Sequence, residues 1–307
     1  MFLRTDAAGV AVDKPQRRVA DFVALTKPRV VAMVLITTAV GFYLGGQGAF
    51  EPSVLLATLI GTGLAAAGTM ALNQFAERDG DALMDRTRTR PLPAGRLDAT
   101  EAAFFGVVLV TGGLAVLAAA VNPQSAAVVA VISLSYLFAY TPLKRVSPLC
   151  TLVGAVPGAL PPVVGWVAVR GSLGIEAWVL FAILFLWQLP HSLAIGAVYR
   201  SDYDRAGIRL LPVVEPDGRS TARQVVTNSL ALVAVGMLPT FVGIAGPIYL
   251  GAAVLLGLTF LAYGLAYAKR RDASSARGVV FASLIYLPLL LAAMAIDKVE
   301  PTILQLG

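Results

Sequence analysis

The chain has 307 residues, 57% of them hydrophobic and only 14% charged, with a net charge of +6. A soluble domain carries about 25% charged residues and a disordered chain is poor in apolar ones, so an ordinary cytosolic enzyme and a disordered protein are both excluded. One cysteine (Cys150) and one histidine (His191) exclude an intramolecular disulfide framework and a protein-only Cys/His zinc site.

Residues 1–27 contain Arg4, Lys14, Arg17, Arg18 and Lys27. They lack a compact apolar core followed by a small-residue cleavage site, and read as a polar N-terminal segment, not a signal peptide. Nine apolar runs follow, at 28–45, 53–73, 101–121, 125–141, 149–168, 176–197, 224–243, 247–268 and 279–297. Each approaches the length of about 20 residues that a bilayer-crossing helix needs. The expectation is an all-α polytopic membrane protein with one transmembrane domain at 28–297 and a short tail at 298–307.

Of the 24 Lys and Arg residues, 22 fall in the N-terminal segment or in loops after even-numbered spans. Only Arg170 and Lys298 fall on the other side. The positive-inside rule places the N-terminus and the basic loops in the cytoplasm. Topology therefore accounts for the positive charge, and no nucleic-acid partner is expected. Two inner loops are long, at about 74–100 and 198–223, and long loops in compact proteins are usually functional or disordered. Both begin with acidic residues, and they end in Arg90-Pro91-Leu92-Pro93 and Arg209-Leu210-Leu211-Pro212. This spacing suggests two four-helix units with a ninth helix added.

Span 2 runs into Asn73-Gln74-Phe75-Ala76-Glu77-Arg78-Asp79-Gly80-Asp81. On a continuing helix, Asn73, Glu77 and Asp81 stand one turn apart on one face. Stacked oxygen donors suit Mg2+, which typically joins one or two carboxylates to substrate phosphates. Arg86, Arg88 and Arg90 follow, with planar donors that match phosphate oxygens. The competing reading is a solvated loop whose arginines set topology and pair with Asp79, Asp81 and Asp85. Span 4 ends in Tyr140-Thr141-Pro142-Leu143-Lys144-Arg145, whose two cations either neutralise a leaving diphosphate or serve topology alone. After span 6 come Tyr199, Asp202, Tyr203, Asp204, Gly207 and Arg209, a second acidic site or a helix end with surface ion pairs. Span 5 holds Pro157, Pro161 and Pro162, and prolines within a span are tolerated where helices line a cavity. His191 follows Pro190 in span 6. It is either a hydrogen-bonded packing residue or a functional group, as ionisable residues within membranes often are.

These segments resemble the UbiA-type intramembrane prenyltransferases over nearly the whole length, and within them the haem-farnesylating branch. The matching stretches are Leu25–Arg29, Asn73–Asp81 with Met84, Arg86-Thr87, Arg90–Leu92, Tyr140-Thr141 with Leu143–Arg145, and Pro161-Pro162 with Gly165-Trp166. Further matches are Phe185–Trp187 with Pro190-His191, Tyr199-Arg200, Asp202-Tyr203, Ala206–Ile208 and Leu211–Val214. The resemblance implies nine helices around a central cavity. It also implies Mg2+-dependent transfer of a farnesyl group from farnesyl diphosphate to a vinyl group of haem B, with addition of water to give haem O. It assigns Asn73, Glu77 and Asp81 to the Mg2+-diphosphate and Asp202 to the second acidic site.

The expected catalytic set is thus Asn73, Glu77, Asp81, Asp202 and Lys144, with Mg2+ on the first four. The expected substrate contacts are Arg78, Arg86, Arg90, Arg145, Tyr140, His191, Tyr199, Tyr203 and Arg209. Membrane lipid and a downstream haem-modifying enzyme are the expected partners. The family usually has Asp where Glu77 stands. The wider family has two acids where Tyr199 and Tyr203 stand, and the branch more often shows two prolines before the histidine. Two rival functions remain at this point. Prenylation of an aromatic acid or quinone precursor fits the branch-like segments less well. A haem or lipid transporter would place its charges near the midplane.

Overall fold

The computed structural model describes residues 14–48 and 50–299. Arg4 and the tail from residue 300 onward lie outside the described residues. A short helix α1 (Lys14–Leu25) precedes α2 (Pro28–Gly45), α3 (Pro52–Asp81), α4 (Ala99–Ala120) and α5 (Pro123–Leu134). The chain continues from α5 through a π-helical turn (Ser135–Tyr140) into α6 (Thr141–Leu143). Next come α7 (Cys150–Ala159), α8 (Pro161–Arg170) and α9 (Ile175–Val198), then the short α10 (Arg200–Arg205) and α11 (Leu211–Val214). The last helices among the described residues are α12 (Arg219–Phe241), α13 (Pro247–Arg270) and α14 (Ala273–Ile296). Among the described residues nine helical spans are long and apolar enough to cross a membrane, with α5–α6 and α7–α8 each forming one of them. They match the nine runs read from the sequence, with ends moved by a few residues. The larger shifts are at α3, which stays helical through Asp81, and at α14, which starts at Ala273.

The helices obey local chemistry. Proline occupies the first turn of α2, α3, α5 and α13, where its missing N–H costs nothing. Asp98, Asn122 and Asp272 cap α4, α5 and α14 through their side chains, supplying acceptors to first-turn N–H groups. Span 5 breaks at Leu160, where Pro161 and Pro162 open α8, while Pro157 lies within α7.

Packing follows the two-unit expectation. Span 1 lies on span 2, span 2 on span 3 and span 3 on span 4. Spans 5 to 8 repeat this order, and α14 covers α9 and α13. The two units meet where α2 crosses α8. There a Cβ on Gly165 would strike the carbonyl of Thr38, and one on Gly41 would strike that of Pro162. Small residues permit such close approach in lipid, where association depends on packing. Most of the largest buried cluster comes from α8, α9 and α12–α14, with Tyr249, Phe260, Tyr286 and Leu290 at most 2% exposed.

Candidate active site

The last two turns of α3 carry polar residues past the apolar part of the span, and the unbroken helix keeps Asn73, Glu77 and Asp81 on one face. Asn73 is 0% exposed and Asp81 2%. Each is met by a cation from elsewhere in the chain. Lys27 Nζ donates to Asn73 Oδ1 at 3.0 Å, Lys144 Nζ to Glu77 Oε1 at 2.7 Å and Arg90 Nη1 to Asp81 Oδ2 at 2.7 Å. Asn73 Nδ2 also donates to Thr141 Oγ1 at 3.2 Å, which ties α3 to the basic turn after the π-helical segment.

These groups line a cavity of about 140 Å3 together with Met84, Arg86, Tyr136, Tyr140, Tyr203, Ile208 and Leu210. The rings of Tyr136 and Tyr140 are 5.0 Å apart, and Lys144 Nζ stands 4.3 Å from the Tyr140 ring centre. Arg86 donates to the Tyr203 hydroxyl at 2.8 Å, and its guanidinium also lies over the rings of Tyr203 and Tyr199, at 4.9 and 5.5 Å. Burial pushes the Lys27 ammonium down to about 7, and repulsion from Arg90 and Lys144 adds to it, against attraction from Glu77 and Asp81. Arg86, Arg90 and Lys144 already outnumber the two carboxylates, and the protonated fraction of Lys27 adds to the excess of positive charge. Such a cavity favours an anion, and most strongly one that carries several charges.

Of the expected contacts, Arg86, Arg90, Tyr140, Lys144 and Tyr203 reach this cavity. Others do not. Arg78 folds back onto its own helix, donating to Phe75 O at 2.9 Å with its guanidinium over the Phe75 ring. Arg145 lines a smaller neighbouring cavity against Gly80. Tyr199 lies beneath Arg86, outside the lining. Arg209 contributes its backbone, whose N–H donates to Lys144 O at 2.7 Å, and its residue is otherwise exposed.

Asp202 is also turned away. Its carboxylate pairs with Arg205, which pairs in turn with Asp85 at 2.7 Å. Gly207, at φ +66°, lets the chain reverse after this bridge, so that Ile208 and Leu210 reach the cavity while Asp202 does not. Among the described residues no three His, Cys, Asp or Glu side chains gather as a metal cluster. His191 lies within α9 and faces α14, where its Nδ1 is 2.6 Å from Ser283 Oγ.

Two polar lining residues, Lys27 and Tyr136, are not among the site residues expected from the sequence. Lys27 reads there as a topology charge and a motif member. In the fold it holds a left-handed conformation (φ 47°, ψ 65°) at the α1–α2 joint, which strains a residue with a Cβ and is a mark of functional positions. Tyr136 has a legible signal, since Tyr136, Tyr140 and Lys144 stand at i, i+4 and i+8, the same spacing as the α3 face.

A larger cavity of about 540 Å3 opens at the opposite end of the bundle, lined in part by Phe42, Glu51, Arg170 and Lys298. Its lining holds a single carboxylate, Glu51, against the two of the smaller cavity, so size does not identify the active site here.

The UbiA prenyltransferase family profile matches residues 34–285. A protoheme IX farnesyltransferase of Solibacter usitatus is 49% identical, over 91% of this chain and 98% of its own. A protoheme IX farnesyltransferase of Aquifex aeolicus is 39% identical, over 94% and 99%. A solved UbiA homologue from Archaeoglobus fulgidus, bound to GPP and Mg2+, superposes with a TM-score of 0.63 at 18% identity, covering 90% of this chain and 99% of that one. A structure described as digeranylgeranylglyceryl phosphate synthase reaches 0.78 at 17% identity, over 92% and 98%. Those two likenesses concern the fold. The profile and the full-length relatives reach further: this multi-pass membrane protein belongs to the UbiA prenyltransferase family.

Proposed function

We propose that the chain transfers the farnesyl group of farnesyl diphosphate to a vinyl group of haem B. The C1–O bond of the farnesyl diphosphate breaks and diphosphate leaves. C1 bonds to the terminal vinyl carbon, and water adds to the other vinyl carbon with loss of a proton. The observation that carries the reading is the α3 face, where each of three oxygen-bearing side chains is matched by its own cation. Full-length relatives named for farnesyl transfer to protohaem IX support the choice of substrates.

The donor set fits Mg2+. One amide and two carboxylates stand one turn apart, and Mg2+ takes oxygen ligands, keeps several waters and needs few protein carboxylates when phosphates share it. We assign Asn73, Glu77 and Asp81 to the metal, and leave Asp202 out because it is absent from the cavity lining that holds the other three. When bound, Mg2+ supplies Lewis-acid stabilisation of charge on the departing diphosphate. Lys27, Arg86, Arg90 and Lys144 offer their donors to the diphosphate oxygens. Lys27, Arg90 and Lys144 thereby exchange an Asn, Asp or Glu partner for a phosphate oxygen, so charge stays balanced with substrate in place. Tyr136, Tyr140, Ile208 and Leu210 keep bulk water from the allylic cation.

The basic loops and the active site face the cytoplasm in this reading, by the positive-inside rule. Residues 28–297 act as one domain, and the product passes to a downstream haem-modifying enzyme. The test is incubation of purified protein with haem B, farnesyl diphosphate and Mg2+, followed by mass analysis of the porphyrin. A hydroxyethylfarnesyl porphyrin is expected. An unchanged porphyrin with a prenylated aromatic acid in a parallel reaction would replace this reading with the rival one.

A further inference from the structure

His191 is the only histidine in the chain, and the described active-site cavity does not use it. Its surroundings determine which ring nitrogen carries the proton. Ser283 on α14 is fully buried, and its hydroxyl has one hydrogen. That hydroxyl lies 2.6 Å from the carbonyl oxygen of Val280, which can only accept. The same oxygen lies 2.6 Å from His191 Nδ1. If Ser283 donates to Val280, its oxygen accepts from a protonated Nδ1 and two hydrogen bonds form. If Ser283 donates to His191 instead, one of the two is lost. The first arrangement places the proton on Nδ1 and leaves Nε2 with its lone pair.

The ring plane is held as well. Trp187, one turn earlier on α9, stacks on His191 with centroids 5.1 Å apart and planes at 16°. Its indole N–H donates to the backbone oxygen of Ser283 at 2.8 Å. Ser283 thus anchors both rings, one through its carbonyl and the other through its hydroxyl. Nε2 has no hydrogen-bond partner among the described residues. A neutral imidazole with a fixed tautomer, an outer hydrogen bond to Nδ1 and an open Nε2 is the form in which histidine binds a metal. His191 stands seven residues before the inner end of α9 at Val198, about 10 Å of helix.

We propose that Ser283 is a positioning residue that fixes His191 with Nε2 open, so that His191 ligates the iron of the haem substrate from the α9–α14 side. This rests on haem B being the acceptor, as proposed above. Ser283 touches no reacting atom. It acts by setting the tautomer and orientation of the ligand, and through it the presentation of the vinyl group.

The test uses the purified full chain, titrated separately with haem B and with farnesyl diphosphate plus Mg2+, and compares wild type with His191→Ala, Ser283→Ala and Ser283→Thr. Ser283→Ala is expected to weaken haem binding about tenfold to a hundredfold and to shift the Soret band, with farnesyl diphosphate binding retained. Ser283→Thr, which keeps the hydroxyl, is expected to restore the wild-type spectrum. An unchanged haem affinity and Soret band in Ser283→Ala, with both altered in His191→Ala, would overturn the role of Ser283 while leaving ligation in place. A spectrum insensitive to His191→Ala would overturn the whole proposal, while farnesylated porphyrin from the same preparation would show that the function stands. Equal loss of both substrates in Ser283→Ala would assign Ser283 a structural role and also overturn it. Wild-type protein that neither binds nor farnesylates haem would instead defeat the underlying functional reading.

Discussion

The inner ends of α3 and α9 occupy equivalent places in the two four-span units, and the chain leaves both spans with acidic residues. The two ends then behave differently. The α3 helix stays intact through Asp81, so a period of four residues becomes a face of three oxygen groups aimed into one cavity. The α9 helix stops at Val198, with Tyr199 between it and the six-residue α10. Its acid, Asp202, turns into an ion-pair bridge with Arg205 and Asp85 that fastens the second loop to the first. The second loop reaches the cavity with Tyr203, Ile208 and Leu210 instead. Acidic content is therefore no guide to metal binding by itself. Continuity of the helix decides whether carboxylates converge on one cavity, since Asp81 and Asp202 each have an arginine partner and only Asp81 is in the lining.

Substitutions that treat the two loops alike put this contrast at risk. The largest effect is expected at Asp81. Asp81→Asn removes a charge at nearly constant size, and turnover should fall by on the order of 100-fold or more, in line with the loss of a fixed electrostatic group at a reacting centre. Full activity at low Mg2+ would remove Asp81 from the metal set. Glu77→Gln should come next, with a loss of about 10-fold to 100-fold for a metal-ligand change. Glu77→Asp should stay within a few-fold because the charge survives on an arm one methylene shorter. Equal losses in the two Glu77 variants would mean that the reach of glutamate to Lys144 is required.

Lys144→Ala removes one of the four cavity cations and leaves the Glu77 carboxylate without its partner. Both farnesyl diphosphate affinity and thermal stability should drop, since breaking a buried pair is costlier than never having built it. A variant with normal affinity would return Lys144 to a topology role. Asp202→Asn should have the smallest effect. It weakens a bridge whose arginine is half exposed, where ion pairs are worth about 1 kcal/mol or less, and kcat should change by less than about threefold. A loss as large as that of Asp81→Asn would show that the second loop rearranges to bring Asp202 onto the substrate.

The sequence by itself determined what depends on neighbours along the chain and on the solvent. Lipid cannot satisfy free backbone groups, so nine apolar runs had to become helices, and their number follows from counting them. The 3.6-residue period alone puts Asn73, Glu77 and Asp81 on one face. Tertiary structure decided which charges meet. Lys27 reaches Asn73 across 46 positions and Lys144 reaches Glu77 across 67. Asp202 pairs with Arg205 outside the cavity lining, and Arg78 folds back onto its own helix. Ser283 meets His191 Nδ1 from 92 positions away. Helical periodicity is a local property of the backbone, legible in one segment. A hydrogen bond or ion pair forms over about 3 Å, so its partners are fixed only when the helices that carry them have packed.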